Sequence, residues 1–229
     1  MKADLFERIL HGRRTRQALA LVTRLADGVQ AIVSGDEVHG ELKLGLAQVA
    51  EIRNRMRSDR SGTLDDGEST LFIRCHVPAP RLVIVGAVHI AQALAPMAAI
   101  AGYEVIVVDP RRAFATPERL PGVSMSTEWP DAALARIGID ARTAVVTLSH
   151  DPKLDDPALI AALRSPAFYI GALGSTRTHA RRIERLAEAG LGDEAHRIHA
   201  PVGLDLGGRA PAEIAVATLA QLIQARYRT

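Results

Sequence analysis

Cysteine is nearly missing from this chain of 229 residues. The single one, Cys75, allows no internal disulfide, which fits a reducing compartment. Aromatic residues make up only 3%, so platforms for stacking bases are few and no nucleic-acid partner is expected. Neither sign of charge is in excess: 28 basic against 26 acidic residues leave +2, too little to point to a polyanion or a membrane surface. No run approaches the roughly 18 uncharged apolar residues of a membrane span. The opening MKADLFERILHGRRTR lacks the apolar core of a secretory leader. These absences together predict a cytoplasmic protein with no membrane span.

What the chain has in quantity is aliphatic. Hydrophobic residues reach 48%, and with aromatics so rare, Ala, Val, Leu and Ile must form the core. That suits helices covering a buried parallel sheet. The pattern changes at PAP (Pro78–Pro80), which reads as a linker. The prediction is a small N-terminal α+β domain over 1–78 and a Rossmann-like domain over 79–229.

In the first region, LFERIL has helical spacing, and QALALVTRL and VQAIVSG read as strands around the turn ADG. GLAQVAEIRNRM places Leu46, Val49, Ile52 and Met56 at helical intervals. SDRSGTLDDGES is polar and rich in turn-formers, and reads as a mobile loop. TLFIRCHV is a strand, in which Cys75 reads as a small buried hydrophobe.

From Arg81 onward strands and helices alternate. LVIV, EVIVV, VSM, TAVVTL, AFYI and RIHAPV are the strand candidates. Helices are predicted over Ile90–Ala101, Asp131–Ile137, Pro157–Leu163 and Thr178–Ala189, with AEIAVATLAQLIQARY as the last. Asp155 and Asp156 before Pro157 read as a capped helix start, and Gly190 as a helix stop. The fold class is α/β, a doubly wound, mostly parallel sheet.

In such sheets a ligand lies beyond the carboxyl ends of the strands, where strand order reverses. Under the common six-strand order, Gly86–Ala91 and Ser149–Asp151 face each other across that crevice, and GALGSTR (Gly171–Arg177) reaches the same edge. Gly86 permits a tight turn before a helix start, and Asp109, ending the second strand, is placed to grip a ribose hydroxyl. Val88 stands where a dinucleotide fingerprint wants its second glycine, which weighs against NAD(P). Gly171 and Gly174, followed by Ser175 and Arg177, make an anion nest or an ordinary strand-to-helix turn with a solvent-facing arginine. His150 with Asp151 offers acid–base chemistry or simply a strand end and an Asp-Pro turn. His89 either touches a ligand or covers a helix end. In VGLDLGGRAPAEIA, Pro211 starts the final helix and Glu213 caps it, while Asp205 is open to a polar ligand. His196 and His199 lack partners at metal-site spacing, so no metal is expected.

GAVHIAQALAPMA, VVDPR, PERLP, SHDPK, YIGALGSTRTHARRIERL and HAPVGLDLGGRAPAEIAVATLAQLI, in that order, resemble the XdhC/CoxI family of accessory proteins for xanthine dehydrogenase and aerobic carbon monoxide dehydrogenase. The likeness runs from about Pro80 to the end. It implies a Rossmann-type domain behind a smaller one, and a protein that binds molybdenum cofactor (molybdopterin), aids its sulfuration and delivers it to the target enzyme. The family's usual loop looks like GAGHVA, where this chain has Val88. Its N-terminal cysteine motifs are not matched by SGDEVHGEL or TLDDGE. The implied partners are a molybdenum hydroxylase apoenzyme and a cysteine desulfurase or a paralogous accessory protein, and the chain is expected to form a homodimer. Gly86, His89, Asp109, His150, Asp151, Gly171, Gly174, Ser175, Arg177 and Asp205 would line the cofactor site, with no residue assigned to catalysis. An NAD(P)-dependent oxidoreductase using His150, and a Rossmann-fold interaction scaffold, are the alternative readings.

Overall fold

The computed structural model describes residues 2–67 and 69–228 and divides the chain into two units, Met1–Pro78 and Ala79–Thr229. The first holds an antiparallel sheet of β1 (Leu19–Arg24), β2 (Gln30–Ser34), β3 (Glu37–Gly40), β4 (Gly62–Asp65) and β5 (Thr70–His76), in the order β3-β2-β1-β5-β4. Side chains alternate across a strand, so the sheet offers two apolar faces. Ala20, Val22, Ala31, Val33, Leu71 and Ile73 pack against Ile52 and Met56 of α2 (Leu46–Arg57). On the other face, Leu19 and Ile32 meet Leu5 and Ile9 of α1 (Ala3–Arg14).

Three expectations change here. The polar segment SDRSGTLDDGES contains β4, which pairs with β5 from Gly62 opposite Ile73 to Asp65 opposite Thr70; Glu68 lies outside the described residues. Leu46, counted into the apolar stripe of α2, opens the helix and is 92% exposed. Cys75 is half-buried rather than buried, and its thiol donates to the Arg60 carbonyl.

The second unit is a six-stranded sheet with β6 (Arg81–Val85), β7 (Glu104–Val108), β8 (Ser124–Ser126), β9 (Thr143–Thr147), β10 (Tyr169–Ala172) and β11 (Ile198–His199). Every pairing is parallel and the order is β11-β10-β9-β6-β7-β8. Numbered from β6, that is 3-2-1-4-5-6 read from the far edge, the Rossmann order. Leu82 and Ile84 of β6 enter a core with α3 (His89–Ile100) and α7 (Pro211–Arg228). Val83 and Val85 enter a second one with α4 (Pro130–Ile137), α5 (Pro152–Leu163) and α6 (Thr176–Glu188). Each of these side chains is fully buried, contributing about 1.5–3 kcal/mol apiece.

The start of α5 is displaced from the prediction. It begins at Pro152, and its cap is Asp151, whose carboxylate accepts from Lys153 N–H at 3.0 Å. Pro157 lies inside the helix, and Asp155 and Asp156 cap nothing: they face α6, pairing with Arg182 and Arg185. RIHAPV forms only the two-residue β11, because Pro201 has no N–H for a ladder. Gly190 ends α6 as predicted, with φ +74°. No helix among the described residues is long and apolar enough to cross a membrane.

Candidate functional site

Strand order reverses between β6 and β9, so the loops after these strands leave in opposite directions and open a crevice at the carboxyl edge. Gly86, the first residue past β6, has φ +106°, and a Cβ there would sit 2.9 Å from Ser149 N and 3.1 Å from Ser149 Cα. Only glycine lets the two loops press together like this. Leu148 N–H, donating to the Val85 carbonyl at 2.8 Å, ties the same pair. The predicted meeting of Gly86–Ala91 with Ser149–Asp151 is therefore present. Val88 packs partly against the core and precedes α3, whose start has no side-chain cap. His89, the first helical residue, and His150, with φ +61°, are both exposed at this edge.

Asp109 sits just past β7 and differs most from its expected role. It is completely buried. Its Oδ2 accepts from Ala87 N–H and Arg111 Nη2, each at 2.8 Å. Its Oδ1 accepts from Arg111 N–H at 3.0 Å and Arg111 Nε at 2.9 Å. Burial alone would raise this carboxyl, but Arg111 and the two amides outweigh it and hold the group below the ordinary carboxylate range. Asp109 is thus closed to a ribose; it fixes the first loop and aims Arg111.

Behind Ser149 runs a second buried chain. Ser149 Oγ donates to Asp155 Oδ1 at 2.6 Å and accepts from Asp151 N–H at 3.1 Å. Asp155 and Arg182 are 2% and 3% exposed, with Arg182 Nη2 3.8 Å from Asp155 Oδ2. The same Nη2 donates to the Leu173 carbonyl at 3.0 Å. Burial pushes the Asp155 carboxyl up, while Ser149 and Arg182 pull it back. Asp155 Oδ2, Arg182 Nε, Arg182 Nη1 and Thr147 Oγ1 are buried without a protein hydrogen bond. The β6, β9 and β10 tips are thereby joined: Gly86 against Ser149, then Ser149 through Asp155 and Arg182 to Leu173.

The GALGSTR segment divides between sheet and loop. Gly171 belongs to β10, paired with Val146 and His199, and a Cβ there would meet Val202 Cγ2 at 2.7 Å. It serves packing, not a phosphate cradle. Gly174, with φ +139°, is in the loop, and Ser175 caps α6 by accepting from Thr178 N–H at 3.2 Å. Arg177 is exposed in the first turn of α6. Asp151 is at the crevice but occupied as the α5 cap. Asp205 is exposed and turns its own loop, accepting from Gly207 N–H at 3.3 Å. Glu213 caps α7 as predicted, its Oε2 accepting from Arg209 and Ala210 N–H at 2.9 Å each. His196 and His199 are exposed, the latter stacked on Tyr169 at 4.7 Å, and no group that could hold a metal occurs among the described residues.

Sequence reasoning missed Arg111, Asp155 and Arg182 as parts of this edge. Arg182 left a trace: it stands four residues before Leu186, the fully buried residue of α6, and so shares its inward face. Arg111 left none beyond its place two residues after Asp109.

With this geometry in view, likeness to known proteins is specific. A family model described as the XdhC Rossmann domain matches residues 82–222. The chain is 36% identical over 150 residues to the molybdenum cofactor insertion chaperone PaoD of Escherichia coli (strain K12), covering 65% of this chain and 41% of that protein. It is 34% identical over 164 residues to a probable xanthine dehydrogenase subunit of Bacillus subtilis (strain 168), covering 71% and 48%. A third relative, the uncharacterized protein YqeB of Escherichia coli (strain K12), is 32% identical over 173 residues, covering 75% of this chain and 32% of that one. The chain thus spans only a third to a half of the curated relatives' length. A crystal structure named as a xanthine dehydrogenase from Bacillus halodurans superposes with a TM-score of 0.71 at 25% identity, over 99% of this chain and 65% of that one.

Proposed function

This chain belongs to the XdhC family through its Rossmann domain, and from that premise we propose that it is a maturation factor for a molybdenum hydroxylase. It binds molybdenum cofactor, or a nucleotide form of it, in the crevice bounded by Gly86, Ser149 and Gly174, and delivers it to the apoenzyme in the cytoplasm. The observation that carries this reading is the convergence of three strand tips at the sheet's switch point, the place where Rossmann folds take phosphate-bearing ligands. The names of two relatives point the same way, one an insertion chaperone, the other part of a dehydrogenase.

The donor set at this edge suits a pterin carrying a phosphate. Arg177 and the first amides of α6, which Ser175 leaves in part uncapped, favour an anion. His89 and His150 add hydrogen-bonding rings at the rim. The chemistry of turnover resides in the cofactor; the residues here bind, orient and exclude water. Sulfuration falls to a partner, a cysteine desulfurase or a paralogous accessory protein. Burial pushes the Cys75 thiol up and away from the reactive thiolate.

Protein purified natively from molybdenum-replete cells is expected to release a fluorescent pterin on denaturation, identified by mass spectrometry. A preparation free of pterin that also fails to bind added molybdopterin would remove the reading. NADH binding with turnover of a carbonyl substrate would replace it with an oxidoreductase.

A further inference from the structure

At the end of β7 the Rossmann pattern offers an acid to a ribose, yet in this chain the acid faces inward and an arginine faces out. Asp109 is fully buried, whereas the Arg111 side chain keeps 35% of its surface exposed. A guanidinium carries five N–H groups in a planar fork. Asp109 takes Nε–H and one N–H of Nη2, the side edge of that fork. The outer edge, Nη1 with the second N–H of Nη2, has no protein partner among the described residues.

Three contacts fix the plane of this group. Asp109 grips its side edge, and the Arg111 backbone N–H is held by the same carboxylate. The ring of Phe114 lies 4.4 Å from the guanidinium carbon. Arg119, 5.2 Å from the same ring, completes the stack. The orientation also follows from topology. Asp109 Oδ2 is shared between Arg111 and Ala87 N–H, so the guanidinium lies beside the loop that leaves β6. Asp151 and Asp155, beyond β9, act on it through space. Since β6 lies between β7 and β9, Arg111 sits over the crevice mouth.

We propose that Arg111 recognises a phosphoryl group of the ligand through forked hydrogen bonds from its outer edge. This rests on the crevice reading above and names the residue and the ligand chemistry within it. A planar fork matches two oxygens of a tetrahedral phosphate, and a guanidinium already pinned by Asp109 and Phe114 loses little freedom on binding. The Asp109–Arg111 pair is itself neutral, so the selectivity comes from directed N–H groups. The next residue, Arg112, is exposed and adds a basic residue to the same loop. The phosphoryl group can belong to a pterin phosphate or to a nucleotide.

A ligand-by-residue cycle tests this on the full chain. AMP is compared with adenosine, and neopterin phosphate with neopterin, by calorimetric titration of the wild type and of Arg111→Lys. That variant keeps a cation for Asp109 but loses the fork. At least one phosphorylated member should bind about tenfold or more tightly than its parent, and the lysine should erase most of that preference. The pair showing the coupling identifies the phosphate's source. A preference that survives Arg111→Lys overturns the inference, as does a wild type with no preference in either pair. If the lysine variant does not fold, the wild type decides: nitrogen-15 signals of the Arg111 guanidinium must shift on adding inorganic phosphate, and unmoved signals overturn the inference. Failure here leaves the maturation reading standing if native protein carries a pterin. Phosphate coupling in the nucleotide pair alone, with no pterin carried or bound, sinks that reading and spares Arg111.

Discussion

In the antiparallel unit, Lys2–Glu41, Arg24–Asp27, Arg53–Asp36 and Arg55–Glu51 all keep part of their side chains in water. In the parallel unit, Asp109, Asp155 and Arg182 are sealed inside. Every buried polar or charged residue among those described lies in this second unit: Arg81, Asp109, Ser126, Thr143, Thr147, Asp155, Arg182 and Thr218. Some of these are structural joints. Arg81 donates to the carbonyls of Ile137 and Gly138 at the amino edge of the sheet, Thr143 donates to Asp140, and Thr218 bonds back to Ile214. The rest gather at the carboxyl edge. Removing a charge from water costs several kcal/mol unless it is paired, so a fold that concentrates buried charge at one edge is shaped there by more than stability. The first unit, with apolar cores and solvated pairs, carries no such mark.

Cutting the Asp155–Arg182 pair breaks the comparison hardest. Arg182→Ala leaves a buried carboxylate without its ion-pair partner, with Ser149 as its remaining hydrogen-bond donor, and the expected loss is about 3–5 kcal/mol in urea denaturation. Trp129, the single tryptophan, reports on this unit by fluorescence. Arg53→Ala, in the exposed pair with Asp36, should leave the far-ultraviolet transition where it was. Burial already raises the Asp155 carboxyl, and losing Arg182 raises it further. A group raised on folding contributes most at low pH and loses that contribution as pH climbs through its folded value. The defect should therefore be deeper at pH 8 than at pH 5. Equal defects at both would mean Asp155 is not the group left exposed to the loss.

Glycines sharpen the contrast at a smaller scale. Gly86 and Gly35 both have positive φ, +106° and +58°. An added Cβ at Gly35 meets nothing within 4 Å, whereas at Gly86 it strikes the Ser149 backbone. Gly35→Ala should cost about 1 kcal/mol from conformation alone. Gly86→Ala adds a collision between two loops, and its cost should reach ~2–3 kcal/mol. Similar costs at both positions would show that the β6 and β9 tips are not pressed together.

Asp109 gives a pH signature with the opposite sign to Asp155. Its folded carboxyl is held below the ordinary 3.8, so its contribution is complete above that value and is lost as pH falls through the lower folded one. Melting temperatures of the wild type and Asp109→Asn should differ at pH 6 and converge progressively as pH falls below 3.8. Curves that stay parallel down to pH 2 would place the carboxylate in water.

Much of this was legible in the sequence, and the illegible parts share a cause. LVIV, EVIVV and TAVVT stand out because strands buried on both faces are continuous apolar runs, and their order places Gly86 opposite Ser149. β3 and β4 were not legible: both are short outer strands with polar side chains, and edges are kept polar to discourage further pairing. The start of α5 was misplaced because Asp151-Pro152 and Asp156-Pro157 give the same signal. The burial of Asp155 against α6 decides between them. Arg182 and Arg111 escape a reading of the sequence because an arginine's partner across the fold leaves no local pattern. Spacing reveals the strands that shape a crevice, but not the charges that meet there.

Arg177 is the mildest probe and separates binding from architecture most cleanly. It is exposed in the first turn of α6, beside the cap Ser175. Its removal opens no cavity and orphans no buried group, so Arg177→Ala should leave stability within about 0.5 kcal/mol of wild type. Affinity for a phosphate-bearing pterin or nucleotide should fall by ~1.5–3 kcal/mol if the guanidinium makes a charge-assisted contact. Arg182→Ala should show the reverse, a large loss of stability before any ligand is added. Titration and urea curves on both variants compare the two arginines of one helix directly, five residues apart. If Arg177→Ala binds as the wild type does, the anion is held by the crevice on the β6 and β7 side, and the β10 tip serves only to close it.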